Sequence, residues 1–440
     1  MIVMKFGGTS VGSAERIRNA AEIVKSRIVK KPVVVVSAVT KITDALIKLA
    51  NESANGNGDG VFQGIKNVHI QILRELGINE NLLNNDFKEI AALMKSAKSA
   101  GNSDAKMMDS FQSYGEQMSS KIMAEQLNNA GIRAKAFNSW EIGFITSPDF
   151  GNAEPLESDY GKMGENIASL NLVPVITGFI GKTEKGEITT LGRGGSDYSA
   201  AIIGAAIGAE EIQIWTDVNG IMTTDPKIVK SAKTIEVVSF AEASELAYFG
   251  AKVLHPKTML PAMKKNIPVR VLNSLNPENE GTLILSKTKK KNSNSVKAIA
   301  CKKKITIMHI ASSRMLLAHG FLAGIFDIFS RFKKSVDVVA TSEVSVSLTI
   351  DNNDGISSIA GELEKFGRVE ITGNKAIICL VGEGIADAKD IAGRTFSILC
   401  QNNIKVSMIS VGASMINITF VVDEKNADKS MQALHKEFFG

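Results

Sequence analysis

Five continuous apolar runs occur in the first 285 residues, and they limit the folds that this chain can adopt. The runs are short, rich in valine or isoleucine, and alternate with sequence of helical periodicity: MIVMKF (1–6), KPVVVVSA (31–38), VPVITGFI (173–180), EIQIWTDV (211–218) and IPVRVLN (267–273). Strands that are apolar throughout are buried on both faces, which occurs in parallel or mixed sheets covered by helices. The sequence therefore predicts one α/β domain over residues 1–290.

The helical layer is clearest just after the first run. Ser13 is a suitable N-cap, and an apolar stripe at helical spacing follows it: Ile17, Ala21, Val24 and Ile28. Helices are expected to fill most of residues 62–131. The polar stretch NESANGNGDG (51–60) is expected to be a flexible loop.

An internal repeat begins near residue 298. Shifting the chain by about 70 residues brings FLAGIFDIFSRFKKSVDVVATSEVSVSLTI (321–350) over IAGRTFSILCQNNIKVSMISVGASMINITF (391–420). Each copy has the pattern helix, strand, strand, with a preceding strand in ITIMHI (305–310) or AIICLV (376–381). This predicts two βαββ-type units, 298–373 and 374–440, that pair with or without an exchange of strands. A coincidental similarity between two small α/β segments is the alternative.

Composition excludes several classes of protein. The formal net charge is only +5, from 51 Lys and Arg against 46 Asp and Glu, and the one basic run, KTKKKNSNSVK (287–297), is expected to be a solvated linker rather than a polyanion site. The separated Cys301, Cys379 and Cys400 favour a reducing cytoplasm over a disulfide frame. No leader and no apolar run of 18 residues is present, so neither secretion nor a membrane span is expected. The five histidines lack zinc-site spacing.

Two glycine-rich motifs could bind an anion. KFGGTSVG (5–12) ends the first run, where glycines let backbone N–H groups converge and a helix N-terminus follows. By itself it fits a phosphate-binding loop and a plain strand-to-helix corner equally well. In TTLGRGGSDYSA (189–200), Arg193 could grip a carboxylate or phosphate, or could be a surface residue at a second helix entry.

Three further motifs carry polar side chains. WTDVNGIMTTDPKIV (215–229) follows a strand, where ligands collect in open α/β sheets, although NG and DP also mark ordinary turns. SYGEQMSS (113–120) contains Glu116 in a helical stretch, and FGAKVLHP (249–256) contains Lys252 and His255 before a proline. A solvated glutamate and a structural histidine are the simpler interpretations.

The order of these motifs resembles aspartokinase along essentially the whole chain. KFGGTS, VVSAVTKITDAL (35–46), SYGE, PVITGFIG, LGRGGSDYSA, WTDVNGIMTTDP, FGAKVLHP and a repeat with SVDVVATSEVSVS follow one another as in that family. The resemblance implies an α/β/α sandwich of the amino-acid-kinase type followed by two α+β ACT regulatory domains. Glutamate and carbamate kinases share the nucleotide fold but lack the ending. Another amino-acid kinase, or an amino-acid-binding regulator without catalysis, remains the alternative.

The resemblance also implies an activity: transfer of the γ-phosphoryl of ATP to the β-carboxylate of L-aspartate. The acceptor is already an anion, so positioning and charge neutralisation replace a general base. Mg²⁺ would arrive on ATP, held mainly by phosphate oxygens and water rather than by the protein alone. The first step of lysine, threonine and methionine synthesis is the implied role.

The implied site residues fall into two sets. Lys5 would stabilise the moving phosphoryl, Arg193 would take a carboxylate, Glu116 would pair with the amino group, and Asp197 would hold the amine or orient the site. Contacts to aspartate are implied for Thr43, Glu116, Arg193, Gly194, Gly195 and Ser196. Contacts to ATP are implied for Lys5, Phe6, Gly7, Gly8, Thr216, Asp217, Met222, Lys227, Lys252 and Val253.

Two positions depart from the family pattern. The loop after the second run usually has glycine where this chain has Lys41, which makes the geometry of that loop an open question. Tyrosine is common where this chain has Met222; methionine keeps an apolar contact but loses the ring face and hydroxyl. A modest loss of ATP affinity is expected from Met222.

The repeat resembles paired ACT domains of the lysine-inhibited class. The residues that would frame an L-lysine effector are Met315, Ala318, Phe321, Leu322, Ser335, Val336, Asp337, Thr341, Ser342 and Glu343. Asp337 and Glu343 would attract its ammonium groups, or would be solvated turn carboxylates. ACT sheets pair between chains, so a homodimer or dimer of dimers is expected. The ending leaves no room for an appended homoserine dehydrogenase.

Overall fold

The computed structural model describes residues 1–250, 254–287, 296–316, 319–385, 388–411 and 416–440. They divide into two compact units. The first contains residues 1–221, 236–240 and 254–287, and the second contains 222–235, 241–250 and the described residues from 296 onward. Two segments that the sequence analysis places in the first domain, 222–235 and 241–250, thus group with the second unit. Lys252, Val253 and Ala318 lie outside the described residues.

The first unit is built on one mixed sheet. Its strands in chain order are β1 (Ile2–Phe6), β2 (Pro32–Val36), β3 (Ala134–Phe137), β4 (Val173–Thr177), β7 (Glu211–Thr216), β8 (Val237–Ser239), β9 (Val269–Asn273) and β10 (Thr282–Leu285); β5 (Ile180–Lys182) and β6 (Ile188–Thr190) form a separate hairpin. The spatial order is β3-β4-β2-β1-β7-β9-β10-β8, and among these pairings only β9 with β10 is antiparallel within the described residues. The five apolar runs are the five adjacent parallel strands β4, β2, β1, β7 and β9.

Helices cover both faces of this sheet. They are α1 (Ala14–Lys25), α2 (Ile42–Ala54), α3 (Asp59–Leu76), α4 (Asn84–Ala100), α5 (Ala105–Asn129), α6 (Tyr160–Ala168), α7 (Gly195–Ile207) and α9 (Pro256–Lys264). Ile2, Met4 and Phe6 of β1 share a core with α1 to α5. The alternate residues face α7, where a Cβ on Gly204 would come within 3.7 Å of Val3. The unit is an α/β/α sandwich, as expected.

Local predictions in this unit were partly correct. The Ser13 side chain caps α1 by accepting from the Arg16 N–H, but the helix ends at Lys25, and Ile28 is 41% exposed beyond it. The expected loop 51–60 was wrong in extent, because residues 51–54 continue α2 and α3 begins at Asp59. Ser53 is buried one turn after Leu49, so burial of this face extends the helix into polar sequence.

The second unit contains the repeat. Its strands are β11 (Ala298–Ala311), β12 (Val339–Thr341), β13 (Ser345–Ile350), β14 (Arg368–Val381), β15 (Val406–Val411) and β16 (Asn417–Asp423), and its helices are α10 (Phe321–Arg331), α11 (Ile356–Leu363), α12 (Ile391–Gln401) and α13 (Ala427–Phe439); α8 (Phe240–Tyr248) leads into it. The sheet order is β12-β13-β11-β14-β16-β15. Each copy shows the expected helix, strand, strand pattern, followed by a further helix.

The two copies share their central strands. Residues 306–311 of β11 pair with β13, whereas 375–381 of β14 pair with β16. Between them, β11 and β14 run antiparallel over nearly their full length, so 298–302 lie beside 377–381 and 307–311 lie beside 368–372. The half of the sheet that contains β16 therefore includes a strand segment of the first copy, residues 298–302, whereas the half that contains β13 is built from the first copy alone. Each half also has its own apolar core.

Candidate active site

A cleft of about 380 Å³ opens at the carboxyl ends of β1, β2 and β4 in the first unit. Chemistry-bearing side chains come to this edge from adjacent parallel strands and from three helices, α2, α5 and α7, as expected for an open α/β sheet. The cleft is lined by Lys5, Gly8, Ser37, Ala38, Val39, Thr40, Lys41, Thr43, Asp44, Glu116, Phe179, Gly192, Gly194, Gly195, Ser196 and Asp197.

Lys5, at the end of β1, pairs with a carboxylate from α7, the helix that this face of the strand packs against. Its Nζ lies 2.6 Å from Oδ1 of Asp197, in the first turn of α7, and both side chains are largely buried. A Cβ on Gly7 would come within 3.4 Å of this Nζ. The ion pair therefore holds the Lys5 ammonium group in a fixed position at the base of the cleft.

The KFGGTSVG corner packs tightly against the loop after β2. A Cβ on Gly8 would lie 2.9 Å from the carbonyl oxygen of Ala38, so only glycine lets the two loops meet. The Gly7 N–H donates to the carbonyl of Trp215 over 3.0 Å, which commits this amide to the fold. The Phe6 side chain stacks on Trp215 in the core, so only its main chain can reach a ligand.

Glu116 is the most unusual group in the cleft. Its side chain is buried, with 3% of the residue exposed; Oε1 accepts from the Ala38 N–H over 3.1 Å, and Oε2 has no hydrogen-bond partner. Burial raises the pKa of Glu116 to about 8, although the Ala38 N–H and the charge of Lys5 act in the opposite direction. An unpaired buried carboxyl oxygen is costly and marks the place where a cationic ligand group would bind.

Helix α5 can bring Glu116 this deep because of its neighbour. A Cβ on Gly115 would lie 2.7 Å from the Cβ of Ala38, closer than side chains approach one another. The glycine in SYGE thus sets the distance between α5 and the loop after β2.

A second buried carboxylate lies two turns earlier on the same face of α5. Asp109 accepts from the N–H groups of Gly151 and Thr190 and from the Thr190 hydroxyl, at 2.8–2.9 Å. Burial raises its pKa, and these hydrogen bonds oppose the rise. Sequence reasoning missed Asp109, although the spacing of seven residues from Glu116 was a usable signal.

The loop after β2 closes one side of the cleft. Lys41 has a left-handed backbone, with φ of 66° and ψ of 0°, immediately before α2. Thr43 lies in the first turn of α2, and Thr40 Oγ1 donates to the Gly8 carbonyl over 2.7 Å. The geometry of this loop, which the sequence left open, is therefore a turn in which Lys41 adopts the left-handed backbone conformation that favours glycine.

The loop entering α7 closes the other side. Gly195 and Ser196 are buried at the start of α7, and a Cβ on Gly195 would collide with Phe179, 2.6 Å away. Phe179 lines the cleft with a φ of 65°, rare for an aromatic residue, and sequence reasoning missed it. Arg193 is exposed and is not among the lining residues.

The remaining residues predicted to contact nucleotide lie in both units. Thr216 ends β7 in the first unit and Asp217 follows it, where the Thr216 hydroxyl donates to Asp217. In the second unit, Met222 Sδ accepts from the Thr234 hydroxyl over 3.5 Å, and the Lys227 N–H donates to Asp225. Their contact with ATP stays a prediction.

Asp337, predicted to bind an effector, has an internal cation in the second unit. Its Oδ1 accepts from Lys302 Nζ over 2.9 Å and from the Tyr248 hydroxyl over 2.7 Å, while Oδ2 is buried and unpaired. Lys302 also pairs with Asp351. Glu343 is exposed, as are Leu322, Ser335, Thr341 and Ser342, and Met315, Phe321 and Val336 are partly buried.

No group of three or more His, Cys, Asp or Glu side chains in the described part of the chain is arranged to hold a metal ion. No helix among the same residues has the length and apolar character needed to cross a membrane.

Comparisons with known proteins identify the family. Residues 1–273 match the amino acid kinase family, and residues 378–438 match the ACT domain. Aspartokinase 1, chloroplastic, of Arabidopsis thaliana is 42% identical over 457 aligned positions that cover 99% of this chain and 80% of the relative. The chain belongs to the aspartokinase family. The lysine-sensitive aspartokinase 3 of Escherichia coli K12 is 38% identical, covering 100% of this chain and 99% of its own.

Solved aspartokinase structures share this fold over the full length. Escherichia coli aspartokinase III in complex with aspartate and ADP matches with a TM-score of 0.85 at 36% identity, and the Clostridium acetobutylicum aspartate kinase matches with 0.84 at 30%. Both matches cover 100% of each chain. The expected family and fold class, an aspartokinase with an α/β/α sandwich followed by an ACT-type region, are therefore confirmed.

Proposed function

We propose that this aspartokinase transfers the γ-phosphoryl of ATP to the β-carboxylate of L-aspartate, giving 4-phospho-L-aspartate. The observation that carries the proposal is Glu116, a buried carboxyl group with an unpaired Oε2 in a cleft that also holds Lys5. An α-ammonium group would satisfy that oxygen and stabilise the charged carboxylate. The solved relative that contains aspartate and ADP supports the choice of substrates.

Charge neutralisation is the work proposed for Lys5. Its fixed ammonium at the base of the cleft would meet the negative charge of the moving phosphoryl, and Asp197 would keep it in place. Because Asp197 is already paired, we assign it the orienting role rather than direct contact with the amine. No proton need be removed from the acceptor carboxylate.

The loop entering α7 is proposed to receive a substrate carboxylate. Gly194, Gly195 and Ser196 line the cleft, and the N-terminal end of α7 carries partial positive charge. Arg193 is exposed beside them and would turn inward to form a bidentate contact. Thr43 would contact aspartate from the opposite side.

ATP is proposed to bind through Lys5, the main chain of Phe6, Gly7 and Gly8, and the residues after β7. Thr216 ends β7 and Asp217 follows it, and the proposed set is completed by Met222, Lys227, Lys252 and Val253. Because Asp197 is already paired with Lys5, a magnesium ion would enter with the nucleotide and be held mainly by phosphate oxygens and water. Bound Mg²⁺ would neutralise phosphate charge.

Aspartate-dependent release of ADP is the direct test. We expect activity with L-aspartate and at least a hundredfold lower kcat/KM with glutamate or carbamate, since the buried Glu116 fixes a short acceptor. Lys5→Ala should abolish turnover, whereas Lys25→Ala, at the end of α1 and outside the cleft, should not change it. Activity that is greater with glutamate would point to a different amino-acid kinase, and binding of aspartate without turnover would point to a regulator.

We further propose that L-lysine inhibits the enzyme through the second unit. The buried, unpaired Oδ2 of Asp337 supports an ammonium ligand there, whereas its Oδ1 is already paired with Lys302. The Escherichia coli relative is described as lysine-sensitive, and one solved structure holds lysine with aspartate. The effector would be framed by the residues of 315–343 named above.

Asp337→Ala is expected to relieve inhibition by lysine at least tenfold while the uninhibited rate changes less than twofold. The matched control is Asp354→Ala, an exposed carboxylate in the same unit that should leave inhibition unchanged. Unchanged activity of the wild type in millimolar lysine would contradict the effector assignment and leave the kinase assignment intact. Threonine, alone and with lysine, belongs in the same assay.

A homodimer through the second unit is proposed as the assembly. Apolar side chains are exposed on strands of its sheet, among them Ile371, Ile409 and Val411, and β12 and β15 are edge strands. Light scattering of the purified protein tests this proposal, with a monomer as the contrary result. The three free cysteines support a cytoplasmic location.

A further inference from the structure

The loop after β2 turns a lysine into the cleft at a position where the backbone favours glycine. Lys41 has a φ of 66° and directly precedes α2, so its side chain stands at the positive end of that helix. Lysine lacks the short polar side chain that makes this conformation tolerable for asparagine or aspartate. A strained residue inside a ligand cleft is a reason to ask what its side chain does there.

The ammonium group of Lys41 is not committed to a carboxylate. Among the described residues, Lys41 takes part in no ion pair, whereas Lys5 is paired with Asp197. The cleft lining contains two lysines and three carboxyl groups, those of Asp44, Glu116 and Asp197. Because Lys5 is paired with Asp197, Lys41 is the lysine of the lining left to offset Asp44 and Glu116. Without Lys41, these two carboxyl groups would face a substrate that is itself anionic.

We propose that Lys41 binds a carboxylate of the amino-acid substrate and so helps to select a short dicarboxylic acid. The inference rests on the proposed function, because it takes Glu116 as the ligand of the ammonium group. The Ala38 N–H binds Glu116 directly, and Lys41 follows three residues later in the same loop. One loop would thus define both the ammonium and the carboxylate ends of the substrate, with Lys41 reaching over the cleft mouth.

The chain offers a matched control for the backbone effect. Lys31 is also left-handed, with a φ of 50°, is exposed, and precedes β2 at the end of the strand remote from the cleft. Replacing either lysine by glycine relieves the same kind of strain, but only Lys41→Gly removes a charge from the cleft. Lys41→Arg keeps the charge and provides the conservative variant.

The experiment compares the wild type with Lys41→Gly, Lys41→Arg and Lys31→Gly by steady-state kinetics, thermal unfolding and calorimetric titration with aspartate. We expect Lys41→Gly to raise the KM for aspartate about tenfold, with kcat and the KM for ATP within twofold, and to raise the dissociation constant for aspartate equally. Both glycine variants should have a higher Tm. Lys41→Arg should restore most of the affinity, and Lys31→Gly should not affect it.

Three results overturn the inference: a KM for aspartate unchanged in Lys41→Gly, an equal loss in Lys31→Gly, or a change confined to the KM for ATP. Calorimetric titration with aspartate separates a failure of this inference from a failure of the proposed function. If the wild type binds aspartate but releases no ADP, the kinase proposal fails, and weaker binding by Lys41→Gly still supports the assignment of Lys41. If the wild type does not bind aspartate at all, both fail.

Discussion

Glu116→Gln should stabilise the ligand-free protein at the same time as it removes aspartate binding. The carboxyl of Glu116 is buried, its Oε2 is unpaired, and its pKa is raised to about 8 from an ordinary value near 4.5. Between these values the folded protein holds a proton that the unfolded chain releases, so the free energy of unfolding falls as the pH rises. At about 1.4 kcal/mol per unit, the loss reaches about 5 kcal/mol at pH 8 and about 3 kcal/mol at pH 7.

Glutamine removes this dependence because it has the shape of the protonated acid and never ionises. Chemical unfolding of the wild type and Glu116→Gln at several pH values between 5 and 8.5 measures the effect. The two proteins should have similar stability near pH 5, and Glu116→Gln should be more stable by several kcal/mol near pH 8. If the free energies of unfolding of the two proteins change in parallel over this pH range, the argument that burial destabilises the ionised Glu116 is refuted.

Asp109→Asn is the control for substituting a buried carboxyl on the same helix. The Asp109 oxygens accept three hydrogen bonds, so an amide NH₂ would face donors, and we expect the free energy of unfolding to fall by about 2 kcal/mol at neutral pH.

Aspartate should raise the Tm of the wild type and not that of Glu116→Gln. Because the ammonium pairs with the ionised form, the affinity of the wild type for aspartate should increase as the pH rises toward 8.

Three further predictions concern other positions. Gly115→Ala should destabilise the protein by about 2 kcal/mol and weaken aspartate binding, since its Cβ would meet Ala38, whereas Gly64→Ala in open space on α3 should stabilise by about 1 kcal/mol. Burial lowers the pKa of His69 to about 4, so the free energy of unfolding should fall by about 3 kcal/mol as the pH drops from 6.5 to 4. Chemical unfolding of the His69→Gln variant should not show this fall. Met222→Tyr should lower the KM for ATP with kcat unchanged; an equal KM would contradict the proposed nucleotide contact.

The sheet of the first unit could be predicted from sequence because its signal is local. Five runs without polar alternation can be buried only in the middle of a covered sheet, and they are its five adjacent parallel strands. The position of the cleft followed from the same signal, since residues after parallel strands meet at one edge. Lys5 lies at this edge as the end of β1, whereas Glu116 and Asp197, in helices α5 and α7, were placed in the site only by the resemblance to aspartokinase.

Features that depend on distant contacts could not be predicted. The partner of Asp337 is Lys302, 35 residues earlier, and only the tertiary structure brings them together. A lysine argues against the left-handed backbone found at position 41, and only the glycine that the family pattern usually has there pointed to it. The burial of Ser53, which extends α2 into NESANGNGDG, depends on the helices that pack around it.

The shared central strands of the second unit have a consequence for the order in which the nascent chain can fold. Residues 298–302 leave the ribosome early, but their partners in β14 lie at 377–381, and those of β14 in turn lie at 417–423 of β16. Residues 298–302 therefore stay unpaired until β14 has been made, and this half of the sheet is complete only after β16 has followed. At ordinary rates of synthesis, about 5–20 residues per second, this interval lasts several seconds. During it, the apolar residues of 298–301 are exposed to chaperones and to the equivalent strands of neighbouring nascent chains.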